Sequence, residues 1–321
     1  MNLDYSQNRQ RYIDIAKGIL IICVVIGHVL NFEYSITTAI KTIIYTFHMP
    51  AFFIISGLLT NVNKWKNQSL GDFIKRKIKR LIIPYILFEI IGGIIQIFLY
   101  GFAAVNPVGI LYGIVTIHCS VGADWFLPTL FFAELLMLFC IKFFAPKFWG
   151  IVAVIDFILA FIIPDINYTI AVIRRILIAF GFIILGVLFK KYFVKKNKIC
   201  LILSFILVLC IAFFNGCVDL SSRTFNNPLL YLLGGTIGTY FTIDFSQFLF
   251  GKIEDKLEKI GQESLLIMGT HQHIMMITNL CYGNVYSIFV QIILLPIIAL
   301  YEYILLKVVP VIWDKIKRNN T

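Results

Sequence analysis

Three ionisable residues, Asp14, Lys17 and His28, lie in the first apolar run of the sequence. At about 100° per residue, the eleven steps from Lys17 to His28 return a helix to nearly the same face, and Asp14 lies on that side too. Lys17 and His28 are then about 16 Å apart along the axis. Charges at membrane depth are costly, so such residues normally face a bundle interior or a wet cavity. A lysine that reaches the membrane surface and a histidine bonded to a neighbouring helix remain the alternative interpretation.

Two more histidines extend this polar pattern. His48 is in the second apolar run, two residues before Pro50, which predicts a kink there. His271 shares a helical face with Ser264, seven residues earlier, whereas His273 points elsewhere and is predicted to pack. Histidines on adjacent antiparallel helices predict a shared polar cavity that contains His28, His48 and His271.

A dense basic cluster follows the second apolar run, in the segment Lys75-Arg76-Lys77-Ile78-Lys79-Arg80 that precedes Pro84-Tyr85. One interpretation is an anchor that contacts lipid headgroups at the inner surface. The other is a clamp for the phosphates of a polyanionic ligand that arrives from the cytoplasm. The charge run by itself favours the anchor.

The loop 104–124 has no Lys or Arg and ends at Asp124 and Trp125. A tryptophan at this position suits an aromatic belt at the membrane surface. A tryptophan beside an acid at a cavity mouth also suits a sugar ring, through stacking and hydroxyl hydrogen bonds. Both interpretations stay open.

The composition predicts an all-α, polytopic membrane protein. Of the 321 residues 60% are hydrophobic and 14% charged, and the mean hydropathy is +0.89, more apolar surface than a soluble core of this size could hide. No soluble domain is inserted, so residues 1–321 are predicted to form one transmembrane domain. A membrane helix needs about 20 mostly apolar residues. About ten such helices are predicted, at 12–31, 38–59, 81–103, 125–144, 148–164, 170–189, 199–215, 228–250, 262–281 and 286–309.

The placement of Lys and Arg predicts the orientation. With the N-terminus inside, all but four of the 28 Lys and Arg residues lie at inner segments, and the exceptions are Lys41, Arg174, Arg175 and Arg223. This bias predicts that both termini are cytoplasmic and that the chain crosses the cell membrane an even number of times. It also accounts for the net charge of +11 without a nucleic-acid partner.

The seven cysteines are scattered singly, with no Cys or His cluster that suggests a metal site. Arg9 and Arg11 before an apolar run are typical of a signal peptide, but no cleavage site follows. We therefore expect an uncleaved first span and no bound metal.

These motifs resemble the membrane-bound acyltransferase-3 family, and within it fucose 4-O-acetylase-like and related polysaccharide O-acyltransferases. The family has an Arg or Lys, ten residues and then a His in its first span, as Lys17 and His28 have here. Its Arg-x-x-Arg motif before Pro-Tyr is matched by Lys77 and Arg80, with Lys in place of the first Arg. Further likenesses cover nearly the whole chain and include Phe47-His48-Met49-Pro50 through Ser56-Gly57, Trp125-Phe126-Leu127-Pro128, and Gly261 with Ser264-Leu265 and His271.

The resemblance implies an acyl-CoA donor, most simply acetyl-CoA, on the cytoplasmic side and a carbohydrate acceptor on the other. A neutral histidine, with a reference pKa of about 6.5, can take a hydroxyl proton, and an acyl-histidine intermediate is a variant. The resemblance assigns the candidate residues as follows: His28, His48 and His271 are catalytic; Lys17, Arg76, Lys77, Lys79 and Arg80 bind the donor; and Asp124 and Trp125 bind the acceptor.

Two other classes of function were weighed against an acyltransferase. A transporter or flippase for a glycan or lipid-linked sugar also needs buried charges, but no matched repeats with broken helices are visible. A sensor or scaffold is disfavoured because no soluble domain is inserted.

Overall fold

The computed structural model describes residues 2–30, 32–101, 107–117, 122–193, 196–282 and 288–319, and the architecture within them is helical. Its fourteen α-helices are α1 (Asn2–Val29), α2 (Ser35–Leu59), α3 (Val62–Asn67), α4 (Leu70–Lys77), α5 (Ile83–Tyr100), α6 (Pro107–Thr116), α7 (Phe126–Phe143), α8 (Trp149–Ile162), α9 (Tyr168–Leu188), α10 (Lys198–Asn215), α11 (Pro228–Ser246), α12 (Lys252–Gln262), α13 (Ser264–Tyr282) and α14 (Ile288–Asn319).

A helix occupies each of the ten predicted spans, and seven helices in the described part are long and apolar enough to cross a membrane. The remaining three differ for physical reasons: α8 has 14 residues, and α11 and α13 carry more polar side chains. The helical membrane bundle is thus confirmed, and the count of about ten stays a prediction. The segment 109–116 belongs to the separate ten-residue helix α6.

The faces of the bundle agree with a lipid environment. Helix α5 exposes large apolar side chains at helical spacing along one side, and so does α10. A soluble monomer rarely exposes apolar patches of that extent, whereas lipid tails accept them. The α5 series is Ile83, Leu87, Ile90, Ile91, Ile94 and Phe98.

The helices α1 and α12 cross in direct backbone contact. A Cβ atom at Gly18 would lie 2.1 Å from the carbonyl oxygen of Leu257, and one at Gly261 would lie 1.7 Å from that of Asp14. Any side chain at either glycine would push the helices apart, as at other small-residue helix crossings in membranes. Gly18 follows Lys17 and Gly261 precedes Ser264, and the crossing brings the start of α13 close to Lys17.

Cations predicted for the inner side gather at one end of the bundle, which we call the basic end. There Lys142 donates hydrogen bonds to the carbonyl oxygens of Lys66 and Gln68, and Arg11 forms ion pairs with three carboxylates of α12. At the opposite end, Arg223 binds Asp165 at 2.6 Å. The two predicted groups of cations are therefore separated in space, while the end that faces the cytoplasm remains a prediction.

A labelling experiment tests this orientation. In a variant without native cysteines, Asn63→Cys at the basic end is expected to react with a membrane-impermeant maleimide only after the cytoplasmic side is opened. Ser222→Cys, on the exposed loop at the opposite end, should react from outside intact cells, because short loops with such different charge settle orientation reliably. Labelling of Asn63→Cys in intact cells would invert the molecule.

Candidate functional site

A cavity of about 640 Å³ opens at the basic end, and we call it the basic cavity. Its walls come from α1, α2, α3, α4, α7 and the start of α13, so segments far apart in sequence meet there. Five cationic side chains and one carboxylate line it: Lys17, Lys64, Arg76, Lys77, Arg80 and Glu134. A concave site with this charge suits a ligand that carries several phosphates.

Four of the five predicted donor-binding residues line the basic cavity, and Lys79 does not. Lys79 lies on the turn between α4 and α5 with an exposed side chain. Lys79 is therefore separated from the cavity that Arg80 lines, and its role in donor binding stays a prediction.

The different positions of Lys79 and Arg80 have a cause in the backbone. Residues Ile78–Ile82 form a π-helical turn. Pro84 has no N–H to donate to the carbonyl of Arg80, which weakens the regular α-helical ladder at this place. The extra residue in a π-turn shifts the faces on which the following side chains lie. The proline before Tyr85 was the only local signal for this turn.

Lys77 is buried and already has a counter-charge. Its Nζ lies 2.5 Å from a carboxylate oxygen of Glu134, whose other oxygen accepts a hydrogen bond from Ser56 at 2.8 Å. The rings of Trp65 and Phe73 cover the same ammonium group at 5.0 and 5.5 Å. Lys77 therefore holds α4 against α7, a role that the sequence motif did not reveal.

The other cations that line the cavity have fewer charged partners than Lys77. Among the described residues, Lys64, Arg76 and Arg80 form no ion pair, whereas Lys17 pairs with Asp14 at 2.6 Å. The two arginines can offer planar forks to phosphate oxygens. They are the residues of the cluster best placed to hold an anion.

His28 and His271 lie together in the interior, with ring centroids 5.2 Å apart. His271 is fully buried, and its Nδ1 donates to the carbonyl of Ile267 at 2.8 Å, while Nε2 has no partner among the described residues. The Nδ1 atom of His28 lies 3.2 Å from the side-chain amide of Gln272. The pairing of these two histidines agrees with a shared polar interior.

His48 lies near this pair but does not stack on it. Its Nδ1 donates to the carbonyl of Ile44 at 2.9 Å, and its ring lies 4.8 Å from that of Tyr45. The Tyr45 ring also rests against Gly27, the neighbour of His28. Tyr45 is thus the contact between the His48 region and α1.

The three histidines do not line the basic cavity, but two of its lining residues are close to them in the chain. Phe52 and Met268 line the cavity, and each is about one helical turn from a histidine, His48 and His271 respectively. A long flexible ligand arm that passes these apolar side chains would reach the histidines.

Asp124 and Trp125 are buried and do not lie at the open mouth of a cavity. Asp124 is 0% exposed and neither carboxylate oxygen has a hydrogen-bond partner in the described part. Burial, with the charge of Glu89 nearby, raises the pKa of the Asp124 carboxyl well above its usual range. The guanidinium of Arg175 covers the Trp125 ring at 5.3 Å. The Trp125 ring is therefore covered on one side, and the predicted roles in an aromatic belt or in acceptor binding stay predictions.

Three residues in these contacts carried no functional prediction from sequence, namely Glu134, Arg175 and Gln272. Each acts through a partner on another helix, and helical spacing within one segment cannot show such a partner.

Comparison with known families gives one finding. A family model described as an acyltransferase domain, that of the acyltransferase 3 family, matches residues 10–306. No curated protein and no solved structure matches the chain.

Proposed function

Because the chain belongs to the acyltransferase 3 family, we propose that it is an O-acyltransferase that moves an acyl group, most simply acetyl, from cytoplasmic acyl-CoA to a hydroxyl of an envelope or extracellular carbohydrate. The family and the apolar helices make it a membrane acyltransferase. Within the family, we place the protein with the fucose 4-O-acetylase-like and polysaccharide O-acetyltransferases.

The observation that carries the proposal is the basic cavity, whose lining residue Met268 is about one helical turn from His271 of the histidine pair. The donor combines a polyphosphate head with a long narrow arm, and the site combines cations at the surface with apolar walls leading inward. Arg76 and Arg80 would hold the phosphates, and the arm would lie between Phe52 and Met268.

In the proposed reaction, His28 takes the proton of the acceptor hydroxyl as its oxygen attacks the thioester carbonyl carbon. The carbon–sulfur bond breaks, and the CoA thiolate leaves and receives the proton from His28. His271 lies against the His28 ring, with the two ring centroids 5.2 Å apart. Charges and atoms balance without a metal or a redox step.

A transfer assay tests the proposal directly. The purified protein in nanodiscs is incubated with isotopically labelled acetyl-CoA and surface polysaccharide from cells that lack the gene. We expect label in the polysaccharide, found by mass spectrometry as acetyl esters. Polysaccharide of identical mass from cells with and without the gene would contradict the proposal and favour transport.

Donor binding is expected to depend on Arg80 and not on its neighbour Lys79. Arg80→Gln should raise the KM for acetyl-CoA about tenfold or more, since a hydrogen bond to a charged group contributes about 1.5–3 kcal/mol. Lys79→Gln is the matched control, because it removes one adjacent charge that does not line the cavity. Steady-state kinetics on both substrates measure this.

Equal rises in KM for the two variants would mean that the cluster acts only through its overall charge. In that case the contact between Arg80 and the donor would be abandoned, and the cluster would be an anchor at the inner surface.

A further inference from the structure

Arg175 is a buried cation that has no counter-charge among the residues that the structure describes. It lies in α9, about two turns from the first residue of the helix, and is 3% exposed. Among the described residues it forms no ion pair, and its Nε has no hydrogen-bond acceptor.

The neighbouring Arg174 provides a comparison, because its guanidinium has partners within the protein. Its Nη1 lies 3.6 Å from the Asp165 carboxylate, and its Nε donates to the carbonyl of Ala160 at 3.0 Å. Two adjacent arginines on one helix therefore differ, because Arg174 has a carboxylate partner and Arg175 has none in the described part of the chain.

Aromatic contacts offset only part of the cost of burying Arg175. Its guanidinium lies 5.3 Å from the Trp125 ring centroid and 5.6 Å from that of Tyr168, and it donates to the Tyr168 hydroxyl at 3.1 Å. Cation–π contacts are weaker than the loss of hydration that a buried ion suffers. An oxyanion supplies the missing negative charge to a buried guanidinium, which binds it through parallel N–H groups.

The position of Arg175 relates it to the acyl-transfer path. Trp125 meets the ring of Phe126 edge-on at 6.4 Å, and Phe126 lines the basic cavity. Arg175 contacts Trp125 and does not itself line the cavity. It is in the same helix turn as Arg174, whose partner Asp165 lies at the opposite end of the bundle. This is the side from which an acceptor would approach.

We propose that Arg175, flanked by Trp125 and Tyr168, binds a carboxylate or phosphate group of the acceptor, so that the acceptor is an acidic carbohydrate. The proposal rests on the proposed acyl transfer to a sugar and adds the charge class of that sugar. Asp124, next to Trp125, has no contact with Arg175 that would neutralise it.

The test measures binding in the absence of any acyl donor. The full chain, purified in a neutral detergent, is heated with sodium D-glucuronate or with D-glucose at matched ionic strength, and ligand binding is taken from the rise in melting temperature. We expect glucuronate to stabilise the protein and glucose to have no effect. Arg175→Gln should abolish the response to glucuronate, and Arg174→Gln, the matched control, should keep it.

A second variant keeps the test decisive if Arg175→Gln does not fold. Arg175→Lys retains the charge but loses the planar fork, and we expect its Kd for glucuronate to be about tenfold higher. Equal responses to glucose and glucuronate in the unmodified protein, or equal losses in the Arg174 and Arg175 variants, would overturn the proposal.

A lipid phosphate is the competing source of the oxyanion. If nanodiscs of phosphatidylglycerol, compared with phosphatidylcholine, suppress the glucuronate response in an Arg175-dependent way, the anion is a lipid headgroup and the acceptor assignment is wrong. Because no step of this assay needs acyl-CoA, failure of the transfer assay would remove the proposed function and leave the binding result standing.

Discussion

His28→Ala is expected to lower kcat for acyl transfer by about 10²–10⁴, the usual effect of losing a general base. The KM for acetyl-CoA should change little, because the cations that line the basic cavity are about three helical turns away at Lys17. The measurement is the steady-state release of free CoA thiol with the acceptor polysaccharide present. Equal amounts of protein in the membrane fraction are the first control.

Gln272→Leu provides a graded comparison for this variant. The side-chain nitrogen of Gln272 lies 3.2 Å from Nδ1 of His28, and this hydrogen bond, in which the amide N–H donates to Nδ1, fixes the orientation of the His28 ring. We expect a loss in kcat of about tenfold, smaller than for His28→Ala, since a positioning residue is removed and the base is kept. Turnover above about a tenth of the original rate in His28→Ala would exclude the role of general base.

Much of this arrangement could be predicted from helical spacing alone. The stripe from Lys17 to His28 and the face shared by Ser264 and His271 follow from a period of 3.6 residues, and the structure brings their ends together at the basic cavity and the histidine pair. Charge placement likewise predicted which cations share an end of the bundle. These features are local to one helix or depend on the alternation of spans.

Features that depend on contacts between distant helices could not be predicted. The pair of Lys77 and Glu134, the cover of Arg175 on Trp125, and the contact of Gln272 with His28 each join segments whose relative rotation no single-helix pattern fixes. Burial was missed for the same reason. A sequence places Asp124 at a loop end, and only packing shows that its carboxyl is enclosed.

Glu134→Ala is expected to destabilise the protein by about 3–5 kcal/mol, because it leaves the buried Lys77 ammonium unpaired. Glu134 is 5% and Lys77 6% exposed, so water cannot replace the lost carboxylate. Ser56 loses its acceptor as well. Denaturant titration in detergent measures the change. Glu258→Ala, which removes a half-exposed partner of Arg11, is the matched control and should cost about 1 kcal/mol or less.

The double variant Lys77→Met/Glu134→Leu separates the structural role of Lys77 from a role in donor binding. Replacing both members of a buried ion pair with apolar residues of similar size is often neutral, so we expect stability near that of the original protein. The KM for acetyl-CoA should rise less than in Arg80→Gln, because the charge of Lys77 is already committed to Glu134. A rise as large as that of Arg80→Gln in this stable protein would show that Lys77 leaves Glu134 to bind the donor, and the ion pair would then be a contact broken in each catalytic cycle.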